Sequence, residues 1–251
     1  MKQRLPLFPP RHACLLLLVV LAGLLALQPA CTRQAAAGVA EQQAQSQLNQ
    51  PHNASVNCRQ CHQELYAKWY DSHHAKAHRP IVPEFDAQYV RQDQTFTEQG
   101  VRYTMGFEQG QLKVVESQQG HPDFSYSPAF VLGHTPLRQL IVPTGNGHFQ
   151  AASLALDPAR NEWFEVFGNE GRKPGEWGHW RGRGMNWNSM CAHCHMTAFD
   201  RGYDLLKDSY SSTWLEHGVG CVQCHGSVSK EHLQEGYRHD TAPCPPCTPR
   251  P

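Results

Sequence analysis

The sequence predicts an α+β chain, with short helical segments around repeated C-x-x-C-H motifs and a β-rich insertion between the first and second of them. Three observations carry this expectation. Setting aside Cys14 and Cys31, the remaining eight of ten cysteines form four C-x-x-C pairs, and three of those pairs are followed directly by histidine. The stretch Gln63 to Arg79, just after the first pair, contains no Gly or Pro and reads as helix. Between the first two pairs lie roughly a hundred residues without cysteine, long enough for a small module, with short apolar runs separated by turn signals.

The chain has 251 residues, 18% of them charged, and a formal net charge of zero. That balance gives no reason to expect nucleic acid as a partner. Residues 1–40 read as a leader. Lys2, Arg4 and Arg11 precede the apolar run Cys14 to Leu27, which is short for a membrane span of about 20 residues. Cys31 is a candidate lipid anchor, with cleavage nearer Ala37 or Ala40, or a retained membrane anchor, as alternatives. Residues 41–56 are glutamine-rich and read as a tether. Export to the periplasm follows from the leader. In an oxidising compartment the cysteines then need disulfides, metals or covalent cofactors.

The pairs are Cys58/Cys61, Cys191/Cys194, Cys221/Cys224 and Cys244/Cys247, followed by His62, His195, His225 and Thr248. Histidine is 16 of 251 residues, so three such positions would all be His by chance about 2 times in 10,000. On a helical turn, residues i and i+3 share a face and i+4 lies beside them. Two thiols so placed can add to the two vinyl groups of one porphyrin, and the next imidazole can bind the iron from below. The expectation is three covalently attached haems c, through Cys58, Cys61, Cys191, Cys194, Cys221 and Cys224, with His62, His195 and His225 as proximal ligands. A four-thiolate zinc site would use Cys191/Cys194 and Cys221/Cys224 but strands Cys58/Cys61. A thiol switch needs one pair in a βαβ setting. The fourth pair lacks its histidine, and the sequence stops shortly after it. The tail, residues 237–251, is read as a disulfide-closed end or, in preference, a truncated further haem motif.

Distal ligands decide whether an iron only carries electrons or also binds a small molecule. In the first haem segment, residues 57–80, His74 and His78 are expected on one helical face. His179 precedes the second motif and His232 follows the third, in the segment 179–236. His73, His121, His148, His217 and His239 read as surface. In the insertion, residues 81–178, Val101 to Glu116 reads as a hairpin. Phe130–Leu132, Leu140–Val142, Phe149–Leu156 and Trp163–Phe167 read as further strands, one apolar face of the sheet packing on the haem region. Trp177, Trp180, Trp187 and Trp214 read as packing groups.

CRQCHQELYAKWYDSHHAKAH, HWRGRGMNWNSMCAHCHMT and YDLLKDSYSSTWLEHGVGCVQCHG, with His232 beyond, resemble multihaem cytochromes of the cytochrome c-554 / c-prime type. The likeness is to members whose cytochrome region precedes tetratricopeptide repeats, and it spans roughly Cys58 to His232. It implies that His74 is a distal ligand, often to a haem other than its nearest. Two positions depart from the family: His78 stands where Met is common, and Gly226-Ser227-Val228 replaces Gly-Pro-Gly. The helical repeats are absent, in keeping with an incomplete gene product. The function expected is a periplasmic carrier that passes electrons between a quinol-oxidising membrane complex and a reductase or another cytochrome. The alternatives are an oxidoreductase acting on a small nitrogen or sulfur species at a five-coordinate haem, and a redox or gas sensor. No C-x-x-C-K motif is present.

Overall fold

A computed structural model describes residues 53–229 and 232. The leader, Cys31, most of the tether and the Cys244/Cys247 pair lie outside the described residues. The described chain is dominated by antiparallel sheet, which corrects the expectation of helical haem segments. Its α-helices are single turns or little more: α1 (Ser55–Cys58), α2 (Gln63–Tyr70), α3 (Pro83–Asp86), α4 (Trp187–Met190), α5 (Ala192–His195) and α6 (Cys221–His225). The physical reason is that C-x-x-C-H needs only one helical turn to align its side chains. A helix of that length is marginal by itself; after the second and third motifs the chain leaves the turn at once to pair as strand or to pack as loop, while the first leads into the eight-residue α2.

Strands β1 (His78–Pro80), β6 (Phe130–Leu132), β7 (Arg138–Gly145), β8 (His148–Asp157) and β9 (Glu162–Glu165) form a five-stranded sheet in the order β1-β6-β7-β8-β9. Strands β2 (Gln94–Glu98), β3 (Val101–Glu108), β4 (Gln111–Gln118) and β5 (Phe124–Tyr126) form a four-stranded meander. The β3–β4 hairpin turns through Gln109 and Gly110, with Glu108 paired to Gln111. Two ribbons complete the set: β10 (Met196–Thr197) with β13 (Glu216–His217), and β11 (Tyr203–Asp204) with β12 (Ser209–Tyr210).

The larger sheet is covered on both faces. Leu140, Val142, Ala152 and Leu154 face the meander, where Tyr103, Met105, Leu112, Val114 and Tyr126 meet them. Ile141 and Ala151 face the other way, onto Trp187, Ala192, Met196 and Phe199 around the second motif. A strand buried on both faces loses its polar alternation. That is why Leu140-Ile141-Val142 and Ala151 to Leu156 are uninterrupted buried runs. Trp180 belongs to the first of these cores, Trp187 to the second, Trp214 packs beside Trp187, and Trp177 is exposed.

The helix expected to carry both His74 and His78 ends at Tyr70. Ser72 Oγ donates to the Trp69 carbonyl at 2.6 Å. His78 then pairs with Leu132 in β1–β6. A long-range strand pairing has overridden a favourable local helix pattern. Among the described residues no helix is long and apolar enough to cross a membrane.

Candidate functional site

Each C-x-x-C-H motif is built on a single turn. In the first, His62 N donates to Cys58 O at 2.8 Å, the i to i+4 bond that brings the imidazole beside the thiols. In the second, Cys194 N donates to Cys191 O at 3.2 Å. The third lies wholly within α6. In every motif the first cysteine is half-buried and the second exposed, at Cys61, Cys194 and Cys224, and none of the six is in a disulfide. One thiol anchored in the fold and one at the surface suits a flat group lying against the protein.

The second motif is held by two asparagines. Asn186 caps α4 by accepting from Ser189 N at 3.0 Å, and its side-chain amide donates to Phe149 O at 3.3 Å. Asn188 accepts from Phe149 N at 2.8 Å and donates to Gly147 O at 3.1 Å and Ser212 Oγ at 2.9 Å. Together they satisfy the edge of β8, while Trp187, fully buried between them, fills the core below. The N-W-N sequence therefore fastens the insertion to the second motif.

His195 Nδ1 lies 3.1 Å from the Ala77 carbonyl. A backbone carbonyl there fixes the proton on Nδ1 and leaves Nε2 as the metal-binding nitrogen. Ala77 belongs to the segment that follows the first motif, and this segment touches the others as well. Trp69 Nε1 donates to Val219 O at 2.8 Å, and Val219 N donates to His74 O at 2.9 Å. Gly218, at φ +78°, permits the crossing: a Cβ there would meet Ala75 O at 2.4 Å and His74 O at 2.9 Å. The W-x-x-S-x-H pattern thus acts as a strap between the first motif and the approach to the third.

The first and third motifs meet directly. Helix α1, which ends at Cys58, takes the first N–H of α6 on its Ser55 hydroxyl. Interaction between the two thiols lowers Cys221 to about 6 and raises Cys58, whose burial raises it further. Beside them Glu216 accepts from Ser55 N at 3.2 Å through both oxygens and from Ser55 Oγ at 2.6 Å, and Ser55 Oγ accepts from Cys221 N at 2.8 Å. Burial raises the Glu216 carboxyl, and the Ser55 bonds partly offset it.

The four candidate distal histidines have different surroundings. His232 faces His62, ring centroids 6.1 Å apart and planes inclined by 26°. A metal bound to two imidazole nitrogens at about 2.0 Å each separates their centroids by roughly 6 Å, so this pair has the spacing for one shared iron. His74 is exposed, and its backbone carbonyl accepts from Val219 N. His179 is half-buried, accepts from Arg181 N at 3.1 Å, and is lowered by burial and by Arg181. His78 is 1% exposed, with Nδ1 at 2.9 Å from His217 Nδ1, the two rings stacked at 5.1 Å. Its Nε2 is enclosed without a hydrogen-bond partner, between Phe130 and Trp187. Burial, then His217 and His195, lower His78 to about 3.

Sequence reasoning missed His217, placed among surface residues but half-buried on β13, and Glu216 and Ser55 beside it. Strand β13 is two residues long, too short for a periodic signal. Among the described residues no cluster of three or more His, Cys, Asp or Glu is arranged to hold a bare metal ion, so Cys191/Cys194 and Cys221/Cys224 do not make a four-thiolate site.

The family model described as cytochrome c554 and c-prime matches residues 57–119 and 179–226. Residues 120–178, which hold most of the five-stranded sheet, fall between the two matched stretches. No curated protein and no solved structure matches the chain.

Proposed function

Since the chain belongs to the cytochrome c554 and c-prime family, and is thereby a c-type cytochrome with covalently bound haem c, we propose that it carries electrons outside the cytosol through three haems, one at each C-x-x-C-H motif. Haem c supplies one-electron iron(III)/iron(II) cycling, and the protein sets each potential by axial ligand, burial and nearby charge. The observation that carries the proposal is the hydrogen bond from Cys221 N to Ser55 Oγ, at 2.8 Å. It ties α1, which ends at the attachment residue Cys58, to the first residue of the third motif, far away in sequence. The strap from Trp69 to Ala77 brings the second motif to the same segment, through the carbonyl that fixes His195.

In this reading His62, His195 and His225 are the proximal ligands. The spacing of His62 and His232 supports one iron shared between them. Exposed His74, bonded through its backbone to Val219, is assigned to a haem other than the one at its own motif. Enclosed His78 is assigned to the core, and so is His179, whose ring nitrogen already takes a backbone N–H. The leader and the family support export to the periplasm. The partners are other redox proteins: a quinol-oxidising membrane complex upstream and a reductase or cytochrome downstream.

The test is the full chain produced with haem attachment and recovered after export. Its mass is expected to include three porphyrins, and its spectrum to be low-spin and unchanged by carbon monoxide or nitric oxide. A mass short of three, or a high-spin fraction that binds either gas, overturns the three-haem carrier. His232→Ala is expected to convert one haem to high-spin. An unchanged spectrum would remove the His62/His232 assignment.

A further inference from the structure

Strand β13 places one carboxylate where all three motifs converge. Thr197, two residues after His195, pairs with Glu216 across the β10–β13 ribbon. From that strand the Glu216 side chain reaches the start of α1, where it takes both the backbone N–H and the hydroxyl of Ser55. Ser55 in turn accepts the first free N–H of the third motif, Cys221 N. The fit is close enough that a Cβ on Gly220 would lie 1.9 Å from Glu216 Oε1 and 2.6 Å from Ser55 Oγ.

Both carboxylate oxygens act as acceptors here. A carboxylate is acceptor-only when ionised; the two Ser55 donors favour that charged form and partly offset burial, which raises the carboxyl on balance. Among the described residues no Lys or Arg pairs with Glu216, and none contributes to its ionisation. The negative charge is therefore half-buried and held by hydrogen bonds alone. Its charge acts upward on both Cys58 and Cys221, a smaller effect than their interaction with each other, which leaves Cys221 lowered on balance. The Cys191 thiol is raised by burial and by Cys194, with no contribution from Glu216.

We propose that Glu216 is a positioning and potential-setting residue: it clamps the first motif against the third through Ser55, and its charge lowers the reduction potentials of the haems at those two motifs relative to the haem at the second. A fixed anion near an iron stabilises the ferric form, which carries one more positive charge. The field of a half-buried carboxylate is weakly screened by salt. The carboxylate itself is aimed at Ser55 beside Cys221, whereas only the backbone of Glu216 pairs with Thr197 beside the second motif, so the second haem is expected to shift less. The consequence is a built-in difference between two haems of lower potential and one of higher potential, which gives electron flow a direction.

This inference rests on the three-haem reading, and the experiment separates the two. Haem-loaded, exported protein is titrated spectroelectrochemically as wild type, Glu216→Gln, Glu216→Asp and Ser55→Ala, with haem counted by mass in each. Glu216→Gln is expected to move two of the three midpoints to higher potential and leave the third in place. Glu216→Asp keeps the charge and is expected to retain the wild-type midpoints. Ser55→Ala removes the hydroxyl bond that offsets burial and so pushes the Glu216 carboxyl further up; relative to wild type, the same two midpoints are expected to rise as pH is lowered and to return at alkaline pH, where the carboxylate is charged again. A purely structural role predicts a Ser55→Ala shift that does not vary with pH. The proposal is overturned if Glu216→Gln leaves every midpoint unchanged, if all three move together, or if the Ser55→Ala shift is independent of pH. If Glu216→Gln does not accumulate, the pH dependence of the Ser55→Ala shift decides alone. A wild-type haem count below three refutes the underlying reading, independently of any difference between variants.

Discussion

Replacing His78 with Phe is expected to remove much of the acid sensitivity of the fold. His78 is 1% exposed and lowered from 6.5 to about 3, chiefly by burial. A base lowered in this way stays neutral when folded but takes a proton when unfolded. Its contribution to stability is complete above the unfolded value of 6.5 and is lost as pH falls from there toward 3. At about pH 4 the loss from this one imidazole is roughly 3 kcal/mol, taking 1.36 kcal/mol per pH unit. His217 is lowered in the same direction, by burial, and adds to the effect. Phe keeps an aromatic ring between Phe130 and Trp187. It loses the bond to His217, about 1 kcal/mol, but also removes a buried nitrogen that has no partner. Denaturant titrations followed by far-ultraviolet circular dichroism, at about pH 7.5 and about pH 4, measure the outcome. Wild type is expected to lose about 3 kcal/mol more than His78→Phe between the two conditions. Equal losses would refute the argument from burial. A low-spin to high-spin change in His78→Phe would instead make His78 an iron ligand and end its assignment to the core.

Asp86→Ala is expected to destabilise by about 3 kcal/mol, because it strands Arg79 and the Val82 N–H, both bonded to a carboxylate that is 11% exposed; the melting temperature measures it. Gly218→Ala is expected to cost at least about 2 kcal/mol from a strained φ and a backbone collision with Ala75 O, and to lower haem content at the third motif, read by mass after proteolysis. Trp69→Phe removes one hydrogen bond to Val219 O and is expected to cost about 1 kcal/mol in denaturant titration. Ile141→Ala opens a cavity in the sheet face behind the second motif and is expected to cost about 2–4 kcal/mol by the same titration.

The attachment motifs are readable from local spacing. Two thiols and an imidazole at i, i+3 and i+4 can meet one porphyrin through a single helical turn, so Cys191, Cys194 and His195 are legible without any tertiary contact. The β3–β4 hairpin is equally local, since Gln109-Gly110 and the flanking alternation specify both turn and register. The remainder follows from contacts between segments distant along the chain. Residues Gln63 to Arg79 have a helical composition, yet the chain breaks at Tyr70 because His78–Pro80 gains more by pairing with Phe130–Leu132. One covered face of the insertion was expected, but both are covered, and only a second packing layer turns Leu140-Ile141-Val142 from alternation into a continuous core. His217 and Glu216 look like ordinary polar residues because nothing within a few positions of them in the sequence is a partner. Their meanings come from His78 and Ser55, brought to them by the fold. The spacing of each motif is fixed by neighbours along the chain, whereas the charge and burial around it are fixed by neighbours across it.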